Sequence, residues 1–343
     1  MSLKKFQKIS VCIPTYNRAI HLENCLNSIF LCKLESKFDF QVCISDNNSD
    51  DFTEDVVLKY QKHLDIKYHK NSSNFGRVKN YLNVVEMADG DFIWLIGDDD
   101  LLLTNSINDL QNLINEHPNV DFFYVNSFHL SVDYLKNFPI PFDTKNLPKK
   151  MIPFSKRTIS GELPFYKLID PNVSFDFLGG MFLSVFRKNM WISNINALDE
   201  KAINDNGSFS HFDNTFPHLK IFSNAFMKSH AYFNEKPLNV CLSGAREWAP
   251  LNPLVMSIRL IEALKEFRKN GLSLGRYIYC KNFALRNFFS DFLLILLNKK
   301  YSGYVYIKPL NIIFSNMLYP NFYFSIIRFI AKQVYKTITK IFI

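Results

Sequence analysis

Apolar residues recur along the first 125 positions with two alternating periods. Short runs rich in β-branched and aromatic side chains, at residues 10–14, 41–45, 66–69, 92–96 and 120–125, read as strands. Between them apolar residues fall at helical spacing: Leu22, Leu26 and Ile29, then Val56, Val57, Tyr60 and Leu64, then Val78, Leu82 and Val85, then Ile107, Leu110 and Leu113. Asn17 is the expected cap of the first helix and Thr104 precedes the fourth. Strands alternating with helices predict an α/β chain with a mostly parallel sheet covered on both faces. Ligands of such sheets bind beyond the carboxyl ends of the strands, so the polar residues just after each strand matter most.

From residue 126 to 172 the periodicity fades and prolines accumulate, which reads as a long irregular insertion suited to a lid or a second binding surface. A strand at 182–186, a short helix at 187–195 and a strand at 226–233 follow. After Pro250 the chain turns helical, at 253–270 and at the very apolar 277–297. Residues 322–343 mix Ile, Phe and Tyr with Arg328, Lys332, Lys336 and Lys340, four bases at intervals of four that share one helical stripe. Such a helix either lies on an anionic membrane or packs on the chain with its charged side solvated. The expected division is therefore 1–250, with halves 1–125 and 126–250, and a helical C-terminal region 251–343.

Composition narrows the class. Of 343 residues, 48% are hydrophobic and 21% charged, as in a globular protein. The net charge of +8 comes with no zinc-finger spacing or RNA-binding signature, so nucleic acid is not an expected partner. Six cysteines form no CxxC pair, which fits buried thiols of a reducing compartment. No signal-like leader and no uncharged apolar run of about 18 residues is found, so a cytoplasmic chain is expected, with the inner face of the membrane as a surface it can touch.

The chemistry concentrates at Asp98, Asp99 and Asp100, three carboxylates directly after an apolar strand. Clustered carboxylates raise one another's pKa unless a cation neutralises them, and hard oxygens suit Mg²⁺ or Mn²⁺. If strand geometry continued, Asp98 and Asp100 would share one ion; the plain alternative is a solvated acidic turn capping the next helix. Three further segments bear on the choice: Ser10-Val-Cys-Ile-Pro-Thr-Tyr-Asn-Arg18, Ser45-Asp-Asn-Asn-Ser-Asp-Asp51 and Asn74-Phe-Gly-Arg-Val-Lys-Asn80. In order and spacing the four closely resemble the motifs of family 2 glycosyltransferases: an SVxIPTYNR strand, an acidic D(D/N)xSxD turn, an NxGxxxxxN-like segment and a DxD element. The resemblance covers residues 8–125 and thins beyond.

That resemblance implies a GT-A fold and the inverting transfer of a sugar from a nucleotide donor to a glycan or lipid-linked glycan of a bacterial surface polysaccharide. Pro14, Thr15, Tyr16 and Arg18 would line the nucleotide pocket, and Asp46 would accept a hydrogen bond from the base or ribose, uracil being the favoured base. Asn74, Gly76, Arg77, Asp98 and Asp99 would approach the donor, and Asp100 with Asp98 would hold Mn²⁺ or Mg²⁺. The family's acidic pair is missing downstream; Asp213 of Ser210-His-Phe-Asp213 is the expected base, with His211 in reserve. Gly179 and Gly180 would border the acceptor, Arg246 would clamp the diphosphate and Trp248 would stack on a sugar. A catalytically inactive scaffold that binds nucleotide or glycan is the competing reading. A nucleotidyltransferase is disfavoured because no glycine follows the first strand, and a serine hydrolase because no GxSxG elbow occurs.

Overall fold

The structure, a computed structural model, describes residues 7–205, 207–244 and 248–341. Strands β1 (Ile9–Thr15), β2 (Gln41–Asp46), β3 (Ile66–Lys70) and β4 (Phe92–Leu95) alternate with helices α1 (Ala19–Glu35), α2 (Thr53–Tyr60) and α3 (Arg77–Glu86). All seven residues of β1 are buried, because β1 lies between β2 and β4 in parallel register and is roofed by helices. Its apolar residues explain that place, and its polar ones are paired. Ser10 Oγ donates to Gln41 Oε1 at 2.9 Å and accepts the Gly90 amide at 2.9 Å.

The second half widens the sheet. After β5 (Leu101–Leu102) and α4 (Ser106–Glu116) come β6 (Phe122–Ser131), β7 (Ile152–Pro153), β8 (Gly161–Pro164), β9 (Ser184–Arg187), α5 (Pro217–Ala225) and β10 (His230–Ser243). The strand order is β3-β2-β1-β4-β9-β6-β10-β5, with β7 on β6 and β8 on β10. Most paired residues lie in parallel ladders, and β9 is threaded antiparallel between β4 and β6. Trp94, fully buried on β4, donates its indole N–H to the Phe182 carbonyl at 3.0 Å just before β9.

Several boundaries differ from expectation for physical reasons. Asn17 does not cap α1; it sits at φ 52° and accepts the Asp50 amide, while the first helical amide, Ala19, donates to Asp51 at 2.9 Å. The region 126–172 is less irregular than its prolines suggest, since β6 runs through to Ser131 and two short strands pair at the sheet. β10 starts later and runs far longer than the strand expected at 226–233, because Pro237 is taken up by shifts in register rather than ending the ladder.

The C-terminal helices are α6 (Leu260–Lys269), α7 (Leu274–Ala284), α8 (Phe288–Leu297), α9 (Pro309–Asn316) and α10 (Pro320–Ile341). Leu260, Leu264, Phe267, Cys280 and Ile295 join the same apolar core as β1 and β4. All six cysteines are buried and unbridged.

Gly90 shows how closely β1 and the β4 turn approach. A Cβ there would lie 2.6 Å from Ser10 Oγ, 2.7 Å from Ser10 N and 2.9 Å from the Lys8 carbonyl. Because backbone cannot yield cheaply, Gly90→Ala is expected to lower stability by about 1–3 kcal/mol in urea denaturation; an unchanged midpoint would show that the two segments tolerate more space.

Candidate active site

The carboxyl ends of β1 and β4 open on a cleft of about 1310 Å³. One wall carries Pro14, Thr15, Tyr16, Arg18, Asn74, Gly76, Arg77, Asp98, Asp99 and Asp100, as the sequence grouped them. Arg18, the last residue before α1, draws the two elements together. Its Nε donates to Asp98 Oδ1 at 2.8 Å and its Nη2 to Asp99 Oδ2 at 2.9 Å. Thr15 Oγ1 adds a 2.8 Å bond to Asp98 Oδ2.

Strand geometry does not continue past Leu95, so Asp98 and Asp100 do not lie side by side on one strand face. The chain turns instead: the Asp100 amide donates to the Gly97 carbonyl, and the Gly97 amide donates back to Asp100 Oδ2 at 2.8 Å. Asp98 thus engages Arg18 and Thr15 with its two oxygens. No group of three His, Cys, Asp or Glu able to hold an ion by itself occurs among the described residues. What the loop offers is hard carboxylate oxygen at the edge of a cleft, which suits a cation whose remaining ligands come from a substrate's phosphates.

The loop before α3 is built around Gly76, whose φ of 86° favours glycine. Asn74 Oδ1 accepts the Gly76 amide at 2.9 Å and the Asn47 side-chain amide at 2.6 Å. Arg77 is half-buried against the opposite wall. Its guanidinium stands 4.0 Å from the centre of the Phe209 ring and donates to the Asn214 carbonyl at 2.7 Å.

Asp46 is fully buried and does not line the cleft, contrary to its expected role at the base. Ser49 donates to it through amide and hydroxyl, and Tyr68 Oη donates at 2.8 Å, so it fixes the 46–51 turn. Asn47 and Asn80 line the cleft and were not singled out. Asn80 Nδ2 bonds the carbonyls of Thr15 and Ser45, holding β1 and β2 at a set spacing. The Asn-Asn pair after β2 and the Asn ending the third motif were the available signals.

The facing wall includes Gly179, Gly180 and Trp248. The glycines lie on a loop. Phe177 and Leu178 adopt φ of 50° and 70° with both side chains buried, and Asp176 accepts the Gly180 amide at 2.8 Å. A Cβ at Gly180 would come within 2.7 Å of the Phe182 ring. His218 lies beneath, its Nε2 3.1 Å from the Gly179 carbonyl. Trp248 meets Phe209 edge-on at 5.1 Å. Arg246 falls outside the described residues.

Asp213 and His211 do not reach the cleft lining. Asp213 is fully buried, accepting the Asp199 amide at 2.7 Å with Lys220 Nζ at 3.4 Å, and would have to lose those partners to take a proton from a substrate. His211 caps the turn at Phe212–Thr215 by accepting the Asp213 amide. Their neighbours Asn214, Thr215 and Phe216 line the cleft in their place.

Comparison with known proteins agrees with the motifs. Residues 10–169 match the family described as Glycosyl transferase family 2. Abequosyltransferase RfbV of Salmonella typhimurium is 40% identical over 116 residues, covering 33% of this chain and 34% of that protein. A GalNAc(5)-diNAcBac-PP-undecaprenol beta-1,3-glucosyltransferase of Campylobacter jejuni is 37% identical over 111 residues, 32% of this chain and 35% of that one. The chain thus spans about a third of the length of these curated relatives. The structure of TarS from Staphylococcus aureus in complex with UDP covers 82% of this chain and 72% of its own, with a TM-score of 0.54 at 16% identity. The fold is therefore GT-A.

Two buried groups in the cleft titrate in opposite senses. Burial pushes the Asp98 carboxyl up to about 7 against the pull of Arg18. The folded chain then holds a proton that the unfolded chain releases, so this group's contribution to stability falls as pH rises toward 7. Burial lowers His218 to about 4 from its ordinary 6.5, so its contribution rises over that interval. Asp98→Asn is expected to make the slope of melting temperature against pH more positive between pH 4 and 6.5, and His218→Gln to make it more negative. Parallel profiles for both variants and the parent chain would refute this.

Proposed function

We propose that this chain, whose residues 10–169 match glycosyl transferase family 2, transfers a sugar from a nucleotide-sugar to a glycan or lipid-linked glycan of a bacterial surface polysaccharide. The observation that carries the reading is the pairing of Arg18 with Asp98 and Asp99 across the carboxyl ends of β1 and β4, at the mouth of the cleft. A ligand there meets the carboxylates and the Gly76 loop on one side and the Gly180 loop on the other. Asp100, supported by Asp98, would hold Mn²⁺ or Mg²⁺, and such an ion neutralises the charge of a departing diphosphate.

The chain's own groups do the positioning. Arg18 keeps two of the three carboxylates from repelling one another, and its own orientation is fixed in return. Arg77, locked between Phe209 and the Asn214 carbonyl, couples the donor loop to the acceptor wall. Trp248 offers an aromatic face of the kind that stacks on a sugar ring. UDP is the favoured nucleotide; the support is TarS, solved in complex with UDP. The names of the relatives, one acting on an undecaprenol diphosphate-linked glycan, support the acceptor class. An inverting course is part of the same proposal.

Thermal melting of the full chain with UDP, CDP, GDP and dTDP, each with and without Mn²⁺, tests it. A ligand at a hundredfold excess over Kd stabilises by about 2.7 kcal/mol. The expected result is a metal-dependent rise in midpoint with one nucleotide, lost in Asp100→Asn. No rise with any nucleotide would overturn the donor site, and a rise without turnover on any acceptor would favour an inactive scaffold.

A further inference from the structure

The charge of the chain is unevenly divided. Residues 292–343 hold seven Lys or Arg and no Asp or Glu, so the last 52 residues carry +7 and the first 291 carry +1. The apolar surface is uneven in the same direction. Among the described residues, fifteen of the thirty large exposed apolar side chains fall between Leu294 and Tyr335. Neither fact explains the cleft, since both lie on the C-terminal helices.

The contacts of α10 settle which way it faces. Phe322 meets Phe288 at 5.3 Å, Phe329 meets Phe289 at 5.3 Å, and Ser325 accepts the Phe289 amide at 3.1 Å, so this side is packed on α8. Tyr323, Ile327, Ile330 and Val334 recur at intervals of four, three and four on the other side, each more than half exposed. A solvated helix would place its polar residues outward; this one turns its polar Ser325 inward and an aliphatic stripe outward. Lys332 is exposed too, on the opposite side of the helix from the stripe, since it stands two residues from both Ile330 and Val334. Ahead of it, Leu310 and Phe314 on α9 are exposed, and Leu318 after it is 89% exposed.

We infer that the C-terminal helices dock on the anionic surface of a lipid bilayer, with α10 lying along it. Charge complementarity selects this occupant. A second copy of the chain would bring +7 against +7, whereas an anionic headgroup layer attracts each Lys and Arg while its acyl boundary takes the aliphatic stripe. The mode is peripheral, since no helix among the described residues is long and apolar enough to cross a membrane. Lysine stems can lie along the apolar layer with their ammonium groups at the headgroups. This inference is independent of the transfer reaction, because binding to lipid is read without donor or acceptor.

Co-sedimentation of the full chain with vesicles tests it, using phosphatidylcholine alone and phosphatidylcholine mixed with phosphatidylglycerol. Binding is expected on the mixed vesicles, weakened by high salt and much lower on the neutral ones. The double variant Ile327→Glu with Val334→Glu, and separately Leu318→Glu, should keep the melting midpoint and bind the mixed vesicles roughly tenfold more weakly. Three results would overturn the inference: no binding to either vesicle, equal binding to both, or binding unchanged in both variants. So would a concentration-dependent dimer in ultracentrifugation that the double variant dissolves, since that would make a second copy the occupant.

Discussion

A guanidinium shared between neighbouring carboxylates governs the centre of this molecule. Three aspartates in succession at the end of a buried strand would be intolerable without a counter-charge, because each loses hydration and feels its neighbours. Arg18 supplies that charge from the end of β1, and Thr15 shares the work at Asp98. The two strands must end side by side for these bonds to form, which makes the parallel pairing of β1 with β4 a condition of the site. The buried Asn80 extends the same dependence to β2 by binding the carbonyls of Thr15 and Ser45.

The opposite wall is organised by different means. It relies on a loop held in an uncommon conformation at Phe177 and Leu178. Such backbone persists only where its surroundings over-determine it. Here the determinants are two buried apolar side chains, the Asp176 carboxylate on the Gly180 amide and the ring of His218 beneath the carbonyls. Aromatic packing completes the support: Phe122, Phe186, Phe222 and Phe226 contact one another edge to face behind this wall. The abundance of phenylalanine, uninformative as composition, is therefore the material of the core on this side.

How much of this could be read from the chain alone depended on distance along it. The first half was legible because each motif sits where a short apolar run ends, and a parallel sheet sends all those ends to one edge. Arg18, Arg77 and the three aspartates were grouped that way, and they line one cleft. Asp46 lies outside the cleft lining because the hydroxyl of Tyr68, from a neighbouring strand, holds it, and no local pattern announces that partner. Asp213 lies outside it for a similar reason, since Lys220 and the Asp199 amide claim it only after folding. Asn17 looked like a helix cap, yet the helix takes its cap from Asp51, brought in by the turn after β2. In the second half Pro237 concealed the length of β10, because a register shift leaves no trace in hydrophobic period.

The placement of β9 has a consequence for how the chain reaches this state. β1 to β4 are joined by short crossovers and can assemble from residues close in sequence. β4 acquires its outer neighbour only when Val185 and Phe186 arrive from the far side of α4 and β6, and β5 waits longer still, pairing Leu101 and Leu102 with Val240 and Asn239. Closing such loops costs chain entropy before any contact repays it. Sequence separation therefore favours assembly from the N-terminal half outward, with the acidic loop formed before the wall that faces it.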